Sequence, residues 1–147
     1  MLQLNLPPYE YKLRKKDGQL YIYDMIRRKY LVLTPEEWVR QHFVHYLVEH
    51  LQVSPSLLSV EGGITYNSLN KRTDILAYNR QMLPHLLVEC KSPEVNIRDK
   101  TVSQLAMYNA TVKTPLLALT NGMTHHFFEK AAGAYRPLKA LPPFVKW

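Results

Sequence analysis

An α/β domain is what this sequence predicts, and three observations carry the prediction. A capped helical segment opens at Thr34, short runs of strand character follow at Leu86–Lys91 and Pro115–Thr120, and turn residues punctuate the intervals between them. The chain of 147 residues is 46% hydrophobic and 21% charged, the balance of an ordinary globular domain and long enough to bury one core without staples. We therefore expect a single domain over 1–147, made of an N-terminal hairpin extension (1–33), a core (34–128) and a C-terminal tail (129–147).

The elements follow in order. Residues 9–24 alternate aromatic and polar side chains on either side of Asp17-Gly18, the pattern of a β-hairpin. Arg27-Arg28-Lys29 leads into a short apolar run, Tyr30–Leu33. Thr34-Pro35-Glu36-Glu37 is a helix start: Thr34 caps, Pro35 takes the first helical position and Glu37 falls where a capping box needs an acid. Val39, Phe43, Tyr46, Leu47 and His50 keep helical spacing to about Leu51. Leu57–Tyr66 reads as a strand interrupted by a bulge at Gly62-Gly63, and Arg72–Tyr78 and Leu86–Lys91 as two strands joined by a polar turn near Pro84. Residues 98–112 suit a helix burying Val102, Leu105 and Ala106. Pro115–Thr120 is a strand, Asn121-Gly122 a turn and His125–Glu129 a further strand. Pro137, Pro142 and Pro143 argue for an irregular tail.

Charge and cysteine content narrow the function classes. Nineteen Lys and Arg against twelve Asp and Glu give a formal charge of +7, which suits an anionic partner. The excess is uneven: residues 1–30 hold seven basic and three acidic side chains, residues 98–147 seven and two, and the middle, 31–97, five and seven. A polyanion is drawn to the ends and repelled by the centre unless a cation sits there. No apolar run is long enough to span a bilayer, Met1–Leu6 lacks the features of a secretory signal, and the single Cys90 allows no internal disulfide, so a cytoplasmic protein with no membrane partner is expected.

The chemistry concentrates in the central strands. Leu86-Leu87-Val88-Glu89-Cys90-Lys91 begins as a buried strand and then admits two charges. Alternation along a strand sends Glu89 and Lys91 to one face and Val88 and Cys90 to the other. On the preceding strand Asp74 stands directly before apolar Ile75, Leu76 and Ala77. Burying these charges singly costs several kcal/mol each, so they are paired, metal-bound or solvent-facing. A hard divalent cation such as Mg²⁺ accounts for two carboxylates, with Lys91 beside it to orient water and meet developing negative charge. An ion pair at a strand end is the bland alternative.

These residues resemble a known pattern. Asp74, fifteen residues before Glu89-Cys90-Lys91, is similar to the D…ExK signature of PD-(D/E)XK nucleases. Pro35-Glu36-Glu37-Trp38-Val39-Arg40-Gln41, Thr73-Asp74-Ile75, Val88-Glu89-Cys90-Lys91, Gln104-Leu105-x-x-Tyr108 and Leu119-Thr120-Asn121-Gly122 together resemble the N-terminal nuclease domain of type I restriction enzyme R subunits over roughly 34–128. The resemblance implies a restriction-endonuclease-like mixed β-sheet flanked by helices, with the N-terminal hairpin as an extra. It also implies a DNA endonuclease that hydrolyses phosphodiester bonds with Mg²⁺, or Mn²⁺ as a substitute. Asp74, Glu89, Lys91 and Gln104 are then the catalytic set, and Asp74 and Glu89 metal ligands. In that family the first helix also supplies a glutamate to the metal. Glu36 and Glu37 compete for this role, and Glu36 is preferred because it shares a four-residue stripe with Arg40, Phe43 and Leu47, whereas Glu37 has a reason in the cap. Gln104 and Tyr108 share a helix face that the resemblance turns toward the scissile strand; a polar helix flank accounts for them equally simply.

Two departures qualify the resemblance. Thr73 stands where the signature has proline, and no G-x-x-x-x-G-K-[ST] motor motif is present. A stand-alone relative is expected, or one whose translocation and sequence recognition come from other chains. DNA is the expected partner, with restriction or motor subunits and a homodimer as further options. The competing reading is a non-catalytic DNA- or partner-binding module on the same fold. Other signals are discounted: His125-His126 point to opposite faces of a strand, His42, His45 and Glu49 read as a solvated helix face, and Cys90 reads as a small buried residue rather than a nucleophile.

Overall fold

The computed structural model describes residues 1–66, 69–98, 102, 105 and 113–147, without the side chains of 63–72. The N-terminal segment forms three antiparallel strands rather than two: β1 (Leu13–Lys16), β2 (Gln19–Asp24) and β3 (Lys29–Val32), in that order. Asp17 and Gly18 both take positive φ, 50° and 78°, the geometry of a two-residue hairpin turn between twisted strands. The apolar run after Arg27-Arg28 is the third strand. It closes on β2 because Asp24 Oδ1 accepts the backbone N–H groups of Ile26 and Arg27, at 2.7 and 2.9 Å, and folds the connection back.

Helix α1 (Pro35–Glu49) begins as its sequence requires, with Thr34 Oγ1 accepting the N–H of Glu37 at 3.0 Å and Pro35 in the first turn. The reciprocal half of the capping box is absent: the N–H of Thr34 goes to the carbonyl of Val32, and the Glu37 carboxylate is claimed by Arg27, Arg40 and Gln41. His42 and His45 are not on a solvated face. The ring of Tyr9 stacks on His45 (centroids 3.8 Å apart) and meets His42 edge-on, so the N-terminal segment covers that side of the helix.

A mixed six-stranded sheet follows: β4 (Leu58–Tyr66), β5 (Leu69–Tyr78), β6 (Pro84–Cys90), β7 (Leu116–Thr120), β8 (His125–Ala131) and β9 (Ala134–Leu138), each beside its sequence neighbour. Only β6 and β7 are parallel, and the crossover between them spans 91–115. The expected helix over 98–112 lies outside the described residues apart from Arg98, Val102 and Leu105, and so do Gln104 and Tyr108. Strand β9 corrects the expectation of an irregular tail. Pro137 is tolerated because β9 is an edge strand, with one side free of ladder hydrogen bonds.

Period-two alternation sorts the sheet's apolar side chains onto two faces. Ile75, Ala77, Leu86, Val88, Cys90, Leu116 and Ala118 join Val39, Phe43, Val44 and Leu47 of α1 in the larger core. Leu76, Leu87, Leu117 and Leu119 face the other way, with Leu105 and Val102 against them. Burial on both faces explains why Ile75–Ala77 of β5, Leu86–Val88 of β6 and most of β7 read as continuous apolar runs. Among the described residues no helix is long and apolar enough to cross a membrane.

Candidate metal centre

The site forms where β5 is released by both of its neighbours. The β4–β5 register runs Val60↔Ile75 and then Gly62↔Thr73, passing over Glu61 and Asp74 without a shift. The expected bulge at Gly62-Gly63 is therefore not found. The irregularity is Glu61 itself, whose φ of 54° is left-handed and costly for a side-chain-bearing residue. On the other side the β5–β6 ladder ends at Ile75↔Val88. Beyond it the Asp74 carboxylate takes the place of a backbone acceptor, and its Oδ2 accepts the N–H of Cys90 at 2.8 Å.

This opening collects acids from three elements. Glu36 of α1, Glu61 of β4 and Asp74 of β5 each place a carboxylate oxygen within 4.8 Å of the others. The buried guanidinium of Arg40, one helical turn beyond Glu36, lies among them. Its Nη2 donates to Glu36 Oε1 and Asp74 Oδ1 and forms an ion pair with Glu61 Oε1, each at 2.7 Å, and its Nη1 stands 2.9 Å from Glu37 Oε1. Burial opposes the charge on Arg40, but the bond from Asp74 and the surrounding carboxylates outweigh it and raise its pKa above the usual value.

Glu89 and Lys91 flank the same opening. The ammonium of Lys91 lies 3.5 Å from Glu89 Oε1, and its backbone N–H is tied to the carbonyl of Thr120 on β7. Burial first, and then the charge of Asp74, push the Glu89 carboxyl up to about 7, with Lys91 partly offsetting them. Cys90 points into the larger core, fully buried, and burial pushes its thiol well above the ordinary range.

Of the expected metal ligands, Asp74 and Glu36 stand in the acidic group and Glu89 stands beside it as the partner of Lys91. Glu37 faces away from the group's centre toward Arg27, whose Nη2 it accepts at 2.8 and 3.0 Å. Gln104 falls outside the described residues. Glu61 and Arg40 are the members that sequence reasoning missed. The available signal for Glu61 was the one charged residue of its strand, immediately before two glycines.

The donor set suits a hard cation. Three carboxylate oxygens from three elements can close on an ion whose ligands sit at about 2.1 Å and therefore no more than about 4.2 Å apart. A mixed α/β sheet that opens around such a group defines the structural class. Residues 35–142 match the family model of the type I restriction enzyme R protein N terminus (HSDR_N), and the chain belongs to that family. The match places it in a restriction-enzyme, nuclease-related setting and begins only after the three-stranded N-terminal sheet. A comparison with curated proteins returned no match.

Proposed function

We propose that this protein is a metal-dependent DNA endonuclease of the cytoplasm, a relative of the R-subunit nuclease domain. The observation that carries the reading is the convergence of Glu36, Glu61 and Asp74 on one point, with the Lys91–Glu89 pair at the adjoining strand end. Asp74, Glu36 and Glu61 would hold Mg²⁺ (or Mn²⁺), with Glu89 next to them. The bound ion supplies positive charge that polarises a phosphate and makes nearby water more acidic.

The chain's own groups have distinct tasks. Lys91, held by Glu89 and anchored at its backbone to β7, orients the water that attacks phosphorus and meets the negative charge that develops there. One P–O bond forms and one breaks, leaving a phosphate on one end and a hydroxyl on the other. The proton of the water passes to the Glu89 carboxylate, and the departing oxygen takes a proton from solvent. Gln104 is assigned a contact to the scissile strand through the family pattern.

A binding module on the same fold is the second reading, and one observation favours it: Arg40 already engages all three carboxylates that a metal needs. A cleavage assay on linear, circular and single-stranded DNA with Mg²⁺ or Mn²⁺ separates the two. Cutting by the native protein that is lost in Asp74→Ala and Lys91→Ala supports the nuclease, and cutting of closed circles makes it an endonuclease. DNA binding without cutting supports the module.

A further inference from the structure

The outward face of the N-terminal sheet has a composition that the hydrolytic site does not use. Cross-strand partners share a face, so the register Arg14↔Tyr21, Lys16↔Gln19, Tyr21↔Val32 and Tyr23↔Tyr30 gathers these side chains on one side. Lys12 joins them, its carbonyl accepting the N–H of Tyr23 at 3.0 Å. The opposite face carries Ile22, which is fully buried in the core against α1. Lys12, Arg14 and Lys16 are exposed, and Tyr21, Tyr23 and Tyr30 are half-buried with part of each ring open.

The side chains are arranged as a platform. The Tyr23 and Tyr30 rings lie 5.2 Å apart, the Arg14 guanidinium sits 4.1 Å over Tyr30, and the Lys12 ammonium 5.7 Å over Tyr23. Tyrosine favours strands and cross-strand aromatic pairs stabilise hairpins, which accounts for the rings but not for the charge. No acidic residue of the three strands lies on this face: Asp24 is buried and engaged with Arg27. A hairpin built for stability alone places opposite charges across from one another, whereas these cations face rings and a glutamine.

We propose that this face binds single-stranded DNA, with bases stacking on Tyr21, Tyr23 and the Arg14–Tyr30 pair and phosphates meeting Lys12, Arg14 and Lys16. Aromatic rings interleaved with cations on an open sheet suit splayed-out bases, because stacking needs the base face that a duplex conceals. The platform is anchored to the helix that carries Glu36 and Arg40: Asp24 holds Arg27, and Arg27 holds Glu37. A strand held here is thereby attached to the element that builds the hydrolytic site. The inference does not rest on catalysis.

The test is fluorescence anisotropy with a labelled oligothymidylate, a duplex of equal length and the matching RNA, all in EDTA so that no cleavage intervenes. The native protein is expected to bind the single-stranded DNA more tightly than the duplex or the RNA. Tyr30→Ala is expected to weaken binding about tenfold, Tyr30→Phe to leave it within about twofold, and the exposed pair Arg14→Gln/Lys16→Gln to weaken it and flatten its salt dependence. The glutamine pair alters only exposed side chains, so it decides the matter if Tyr30→Ala loosens the hairpin. Tighter binding to duplex or RNA, no binding by the native protein, or binding unchanged in the glutamine pair overturns the proposal.

Discussion

The guanidinium of Arg40 carries one positive charge among Asp74, Glu36, Glu61 and Glu37, and only 4% of the residue is exposed. Removing one partner from a buried ionic cluster leaves the others uncompensated, typically at a cost of about 3–5 kcal/mol. Arg40→Gln is therefore expected to lower metal-free stability by about that much while raising affinity for Mg²⁺, because a cation that competes for the same oxygens is gone. Thermal melts with and without Mg²⁺ read both effects, and equal Mg²⁺ stabilisation of the variant and native protein would sink the idea. Asp24 presents a different balance. Burial works against its charge, but the backbone and side chain of Arg27, together with Gln41, outweigh burial and hold its carboxyl below the ordinary 3.8. Its contribution is thus fully present above that value and lost as pH falls through the lower folded value. Asp24→Asn should cost about 2–3 kcal/mol near neutrality. Urea titrations should find the gap from the native protein closing below about pH 3.8; a gap that stays constant into acid contradicts the assignment.

At the scale of elements, the turn after β7 packs closely against α1. Gly122 has φ of +85°, and a Cβ there would come within 2.8 Å of Leu4 and 2.9 Å of Val39, both in the core. Gly18 has a similar φ of +78° with open space around it. Alanine at Gly18 therefore meets backbone strain alone, about 1 kcal/mol, whereas alanine at Gly122 adds overpacking of about 1–3 kcal/mol. Chemical denaturation of the two variants checks the order, and equal losses would show that Leu4 and Val39 yield freely. What the sequence made legible at this scale was local. The Thr34 cap, the Asp17-Gly18 turn and the apolar runs of β6 and β7 are written in neighbouring residues, and Asp74, Glu89 and Lys91 stood out as charges in strands that otherwise read as core. Features that depend on distant contacts were not legible. Tyr9 covers His42 and His45 from more than thirty positions away. β9 forms despite Pro137 because it has one neighbour. Glu61 enters the site through a backbone angle that its residue type disfavours.

For the whole molecule, the charge pattern along the chain and the geometry of the centre lead to one thermodynamic expectation. The two basic ends flank a middle segment with seven acids, and the fold draws three of those acids onto one point around the Arg40 guanidinium. Three carboxylates around one guanidinium leave negative charge uncompensated at this opening. A ligand that binds only the folded state stabilises it by RT ln(1 + [L]/Kd), about 2.7 kcal/mol at a hundredfold excess over Kd. For a domain of this length each kcal/mol moves the midpoint by roughly 2–4 °C. Mg²⁺ is therefore expected to raise the melting temperature by about 5–10 °C at saturation, and Ca²⁺, another hard cation with a preference for oxygen ligands, to do so in some measure. Asp74→Asn and Glu61→Gln should each remove most of the shift, whereas Glu10→Gln, on the exposed N-terminal segment, should leave it intact. Differential scanning fluorimetry with metal titration decides the question without any cleavage assay. A native protein whose midpoint ignores divalent cations would mean that Arg40 is the only cation this acidic group accepts, and the binding-module reading would then take precedence.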